Sequence, residues 1–153
     1  MIGDGPDREA AVAEARELKV CSYVKFLGKQ DGIEKYLGGA DLFLMPSDHE
    51  SFGLAALEAL SCETPVVGSR AGGLPEVVED GVTGALEEVG RVEAMAQRAV
   101  EILRDSKLQA EMGRTGRRHA IERFSVEKKV LEYEALYERA IGDCRNRYRK
   151  ALS

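Results

Sequence analysis

The chain has 153 residues, 44% of them hydrophobic and 32% charged, with a formal net charge of −5. That length suits one domain with a single core, and the acidic balance argues against nucleic-acid binding as the main activity. Three scattered cysteines, Cys21, Cys62 and Cys144, make neither a disulfide framework nor a thiolate metal site, and no run approaches the roughly 18 apolar residues of a membrane-spanning helix. The opening "MIGDGPDREA" lacks the regions of a secretion signal, so a cytoplasmic protein without stable membrane insertion is expected.

"DREAAVAEARELK", Asp7 to Lys19, has helical spacing at Ala10, Val12, Ala13, Ala15 and Leu18. Val24 to Gly28, "VKFLG", reads as a short strand stopped by glycine. "DGIEKYLGGA" reads as a brief helix ended by Gly38 and Gly39. "DLFLMP" is a buried strand, Gly53 to Cys62 a helix, "TPVVGS" a second buried strand, "GGLPEVVED" the start of a short helix and "TGALEE" a brief edge strand. Helical patterns fill the remainder over Val92–Arg104, Leu108–Arg123 and Val126 to about Tyr148, the last with Tyr133, Leu136, Tyr137 and Ala140 on one face. Continuous apolar strands separated by helices predict a Rossmann-like α/β fold, a parallel sheet with helices on both faces. Residues 1–141 are taken as this domain and 142–153 as a basic helical tail.

Ligands of such sheets bind beyond the carboxyl ends of the strands, where loops feed helices. Three loops occupy that edge: "FLGKQD", "PSDHESFG" and "GSRAGGLPE". Gly53 lets the backbone approach a ligand, and free amides at Gly53 and Leu54 would face it with the positive end of the helix dipole, a ready phosphate site. Gly72 and Gly73 provide a second permissive turn. The apolar run "GLAALEAL" reports a buried helix, yet it carries Glu58, and no Lys or Arg lies between Glu50 and Glu63. A buried carboxylate is costly unless something hydrogen-bonds to it, so a ligand is the expected partner. Glu58, set back from the phosphate, and Glu50, ahead of the helix, can each accept from hydroxyls. A nucleotide sugar, with a diphosphate between two sugars, has the matching shape.

Taken together, "ESFGLAALEA", with seven residues between Glu50 and Glu58, "GDGP", "ADLFLMPS", "TPVVGSRAGGLPEVVEDGVTG" and "FSVEKKVLEYEALYERA" resemble the large family of retaining glycosyltransferases built from two Rossmann-like domains. The likeness implies the C-terminal half of a GT-B fold, truncated at its N-terminus, with the acceptor domain missing and a first strand near Ile2 left exposed or oddly paired. It implies that Glu50 is catalytic and lies near the transferred sugar, and that backbone amides of Ser51, Phe52, Gly53 and Leu54 contact sugar and diphosphate. Glu58 would take the ribose hydroxyls, and the Lys29–Gln30 backbone the base. "FLGKQD", "ESFGLAALEAL" and "EEVGRVEAMA" are most similar to members that join N-acetylglucosamine to L-malate, which implies UDP-N-acetylglucosamine as donor. A non-catalytic nucleotide-sugar-binding module and a sugar-nucleotide epimerase are the alternatives, and the uncovered sheet edge or terminal helix allows a homo-oligomer. One departure from the family is Glu63, at a helix end where glycine is usual.

No cofactor and no metal is expected. There is no Asp-x-Asp pair to hold a cation against a diphosphate, and Asp48, His49 and Glu50 are adjacent loop residues that rarely converge on one ion. Helix N-termini and Arg70 are the groups expected to assist a leaving diphosphate. His119, in "GRRHAIER", is expected to be solvated.

Overall fold

The computed structural model describes the backbone of residues 1–151 and the side chains of residues 1–144. By its contacts the chain divides at Tyr36, into the compact units Met1–Tyr36 and Leu37–Ser153.

In the first unit, helix α1 (Arg8–Glu17) ends one residue before Leu18, the last of its apolar positions. Lys19 adopts a left-handed φ of 58°, and the Val20 N–H closes the end on the Ala15 carbonyl at 3.0 Å. The strands expected near Ile2 and over Val24–Gly28 do not form. The two segments are linked by the Met1 amine on the Lys25 carbonyl (2.6 Å), the Leu27 N–H on the Met1 carbonyl and the Gly3 N–H on the Gly28 carbonyl (both 2.9 Å). The last bond lands one residue out of the parallel register, at Gly28 with its φ of +67°, so the pairing stops before a regular ladder is established. The chain passes out of this unit within the single-turn helix α2 (Glu34–Leu37).

The second unit is built on a parallel sheet of β1 (Phe43–Met45), β2 (Val66–Ser69) and β3 (Gly84–Glu87), in that spatial order. Phe43 pairs with Val66, and Val66 with Gly84. Helix α3 (Leu54–Ser61) connects β1 to β2, and the short α4 (Leu74–Val77) connects β2 to β3. Parallel neighbours need such crossovers, and strands covered on both faces lose their polar alternation. All four β2 residues are accordingly buried.

Helix α5 (Val92–Arg104) presents Met95, Ala99 and Ile102 at i, i+4 and i+7. These residues join Val67, Ala85 and Met112 in one buried cluster flanked by Leu42 and Leu108. Burying an aliphatic side chain of this size stabilises by about 1.5–3 kcal/mol, so this cluster anchors the sheet. Helix α6 (Ser106–Phe124) starts two residues before its first strong apolar position. Asp105 explains the early start: its Oδ1 accepts from the N–H groups of Lys107 and Leu108, both at 3.0 Å.

Glu63 follows α3 with a φ of 62°, the conformation glycine usually supplies there. The Thr64 N–H reaches back to the Ala59 carbonyl (2.9 Å) and the Glu63 N–H to the Leu60 carbonyl (3.0 Å). The helix therefore keeps the glycine-type ending with a strained residue in it. Helix α7 (Val126–Ala151) runs through residue 142 without a break and exposes Tyr133, Leu136, Tyr137 and Ile141. The basic side chains of "RNRYRK" lie outside the described residues. No described helix is long and apolar enough to cross a membrane.

Candidate functional site

The loop between β1 and α3 carries most of the residues singled out by the sequence. Gly53 is the N-cap of α3, with φ 100° and ψ 40°. Its amide is not free, contrary to expectation. Oε1 of Glu50 accepts from the Gly53 N–H at 3.0 Å and from the Phe52 N–H at 3.2 Å. A carboxylate ahead of a helix start is drawn to unsatisfied amides and to the positive end of the dipole, and no other acidic side chain competes in the first turn. The N–H groups of Leu54, Ala55 and Ala56 precede the first intrahelical bond, from Leu57 N–H to the Gly53 carbonyl at 2.9 Å. They find no acceptor among the described residues.

Gly72 and Gly73 are brought against this loop by direct backbone contact. The Gly73 N–H donates to the Glu50 carbonyl at 3.3 Å. A Cβ on Gly72, whose φ is +49°, would lie 1.5 Å from that same carbonyl oxygen. One on Gly73 would lie 2.7 Å from the Ser51 oxygen and 2.8 Å from the Phe52 Cα. The two glycines therefore let one loop rest on the other, and what they support is the main chain of Glu50, Ser51 and Phe52.

Glu58 is exposed, so the expectation of a buried, unpartnered carboxylate is corrected. The buried residues of α3 are Ala56, Ala59 and Leu60. Leu54 and Glu58, one turn apart, share the opposite side, with Leu54 66% exposed. Among the described residues no donor meets the Glu58 carboxylate, which is solvated and available. Arg70 is committed: its guanidinium pairs with Asp80 and stands 3.7 Å from Glu88, and Asp80 also accepts from the Leu86 N–H at 3.0 Å. It braces β2 to the segment around β3.

In the first unit, Lys29 is exposed and Gln30 half-buried. Gln30 is fixed by its amide on the Leu27 carbonyl (2.6 Å) and by the Tyr36 hydroxyl on its Oε1 (2.8 Å). The main-chain polar groups of Lys29 and Gln30 have no partner among the described residues.

Comparison with known proteins places this arrangement. The family described as "Glycosyl transferases group 1" matches residues 1–119. The chain belongs to that family. This group 1 glycosyltransferase chain is 40% identical over 146 residues to N-acetyl-alpha-D-glucosaminyl L-malate synthase of Bacillus anthracis, covering 95% of this chain and 38% of that protein. It is 41% identical over 145 residues to D-inositol 3-phosphate glycosyltransferase of Mycobacterium sp. (strain KMS), covering 94% and 32% respectively. The chain thus spans less than two-fifths of the length of these relatives. The crystal structure of Anabaena HepE in complex with UDP-glucose matches with a TM-score of 0.83 at 29% identity, over 90% of this chain and 40% of that one. The α/β fold is that of part of a GT-B glycosyltransferase.

One feature of this glycosyltransferase chain lies outside the sequence reading, and a second corrects it. The Phe124 ring stands edge-on to Phe52, with centroids 5.7 Å apart and planes at 78°. His119 is packed, not solvated. Its ring lies 6.1 Å from that of Phe124, its Nδ1 is 3.8 Å from Glu79 and its Nε2 is 3.4 Å from the Arg123 guanidinium. Burial, then the neighbouring Arg123 charge, lower its pKa against the opposing pull of Glu79 and Glu122. The helix was expected to end at Arg123, one residue short of Phe124, and the contact of Phe124 with Phe52 joins distant parts of the chain and leaves no local pattern.

Among the described residues no three His, Cys, Asp or Glu side chains converge as a metal site would need.

Proposed function

We propose that this chain is the donor-binding part of a retaining glycosyltransferase that uses UDP-N-acetylglucosamine and transfers the sugar to a small hydroxy acid such as L-malate. The observation that carries the reading is the start of α3. Amides without an acceptor at Leu54 and Ala55 follow a Glu50 carboxylate held at the cap, and the exposed Glu58 lies one turn further on. Amides at a helix start suit phosphate oxygens, and carboxylates on either side suit the hydroxyls of two sugars.

In this reading the main chain of Ser51 to Leu54 contacts the sugar and diphosphate, and Glu58 accepts from the ribose hydroxyls. Glu50 accepts from hydroxyls of the transferred sugar and orients its anomeric carbon. The bond from that carbon to the phosphate oxygen breaks as the acceptor oxygen approaches from the same face. The acceptor proton passes to the departing phosphate, so configuration is retained and UDP leaves. Helix amides supply charge compensation and no metal is needed. The setting is the cytoplasm.

Calorimetry with UDP and UDP-N-acetylglucosamine tests this, with and without a chelator. A charged hydrogen bond is worth roughly 1.5–3 kcal/mol, so Glu58→Gln should weaken UDP binding about tenfold or more. Glu50→Gln should reduce the preference for UDP-N-acetylglucosamine over UDP, and chelation should change neither affinity. If the unmodified chain binds neither ligand, the reading fails.

A further inference from the structure

Phe52 sits at the centre of the candidate site without offering it a reactive group. Its N–H is one of the two that hold the Glu50 carboxylate, and its Cα lies against the position a Gly73 side chain would need. Its main chain is thus bounded by Glu50 on one side and Gly73 on the other. Its side chain meets the Phe124 ring, which belongs to the last residue of α6.

The surroundings of Phe124 set it apart from a core residue. It is half-buried, with the Arg123 guanidinium 5.5 Å and the Lys129 ammonium 6.0 Å from its ring centroid. Ser125 then turns the chain with φ −60° and ψ 142° into α7, so the ring is held at the junction of two long helices. An edge-to-face contact is directional in a way that aliphatic packing is not, and it restricts the orientation of the partner ring. Fixing the Phe52 ring restricts its χ1 and, through Cα, the direction of its N–H.

We infer that Phe124 is a positioning residue for the donor site, setting the Phe52 and Gly53 N–H groups, and with them the Glu50 carboxylate, through the ring of Phe52. This rests on the proposed donor-binding function and adds the α6–α7 junction to the determinants of sugar recognition.

A double-mutant cycle on the 153-residue chain tests it, with Phe52→Leu, Phe124→Leu and the pair, read by calorimetry with UDP-N-acetylglucosamine and by thermal unfolding. An aromatic pair contact corresponds to about a three- to tenfold change in affinity, so Phe124→Leu should weaken binding by that factor. In the Phe52→Leu background the same change should have no further effect on affinity, and Phe124→Tyr should bind as the unmodified chain does. Should Phe124→Leu fail to fold, Phe124→Met, which keeps volume without a ring, takes its place under the same criteria. A Phe124 variant that melts earlier but binds with unchanged affinity overturns the inference, as does a loss that adds independently to that of Phe52→Leu. Failure of the unmodified chain to bind UDP-N-acetylglucosamine would instead count against the donor-binding function itself.

Discussion

Gly72→Ala is the substitution that most directly probes how the two loops fit together. The added Cβ would stand 1.5 Å from the Glu50 carbonyl oxygen, well inside any non-bonded contact, so the loops must separate. The residue would also have to hold a φ of +49°, or abandon it. Left-handed strain costs roughly 1–2 kcal/mol, and forced overpacking about 1–3 kcal/mol more. Replacing glycine returns about 0.4–1 kcal/mol by stiffening the unfolded chain. The expected net loss is about 2–4 kcal/mol, which for a chain of this size lowers Tm by roughly 5–15 °C. Gly81→Ala is the internal control: it has a φ of +77° but nothing within 4 Å of the new Cβ. It therefore carries the strain without the collision, and should cost about 0.5–1 kcal/mol. Thermal unfolding followed by circular dichroism measures both, and UDP titration of Gly72→Ala should show a loss of affinity of about tenfold or more as the Glu50–Gly53 main chain shifts. Equal Tm losses for the two variants would refute the loop-on-loop contact.

Two further outcomes follow from the same geometry. Glu63→Gly relieves a left-handed residue at the end of α3 and removes only an exposed 3.8 Å pair with Arg117, so it should raise stability by about 0.5–1 kcal/mol in a denaturant titration; a fall would mean that the Arg117 pair outweighs the strain. His119 has a lowered pKa in the folded chain, so the unfolded chain binds the proton more readily. Its contribution is intact above the unfolded value near 6.5 and is lost as pH falls from there toward the folded pKa. His119→Gln should therefore flatten the decline in Tm as pH falls below about 6.5, and an unchanged slope would remove His119 as the cause.

The helices were legible where large apolar residues repeat, as at Met95, Ala99 and Ile102, because that spacing can bury only one side. β2 and β3 were legible as short apolar runs bounded by Pro, Gly or Thr; β1 was legible as a strand, but it is not buried as expected, because it lies at the sheet edge with Leu44 54% exposed. Val24–Gly28 was misread because a strand is completed by its partner, and here the partner segment slips out of register at Gly28. Glu58 was taken as buried because α3 is so rich in alanine that its composition hides its exposed side; the i, i+4 relation of Leu54 and Glu58 is the signal that separates the two faces. The pattern of Glu50, Gly53 and Glu58 named the family, while the roles of Gly72 and Phe124 depended on contacts that only folding creates.

The seating of Glu50 beneath Gly72 also bears on the order in which the site comes into being. The loop after β1 finds its support only when β2 and the turn after it are already in place, so neither loop is a preformed element that waits for the other. The two should open and close as one cooperative unit. In hydrogen exchange, the amides of Phe52, Gly53 and Gly73 should then share a single opening free energy although they belong to separate stretches of chain; distinct values for Gly53 and Gly73 would show that the loops come apart independently. A donor that engages one loop would slow exchange in both, and the site would tighten as a whole.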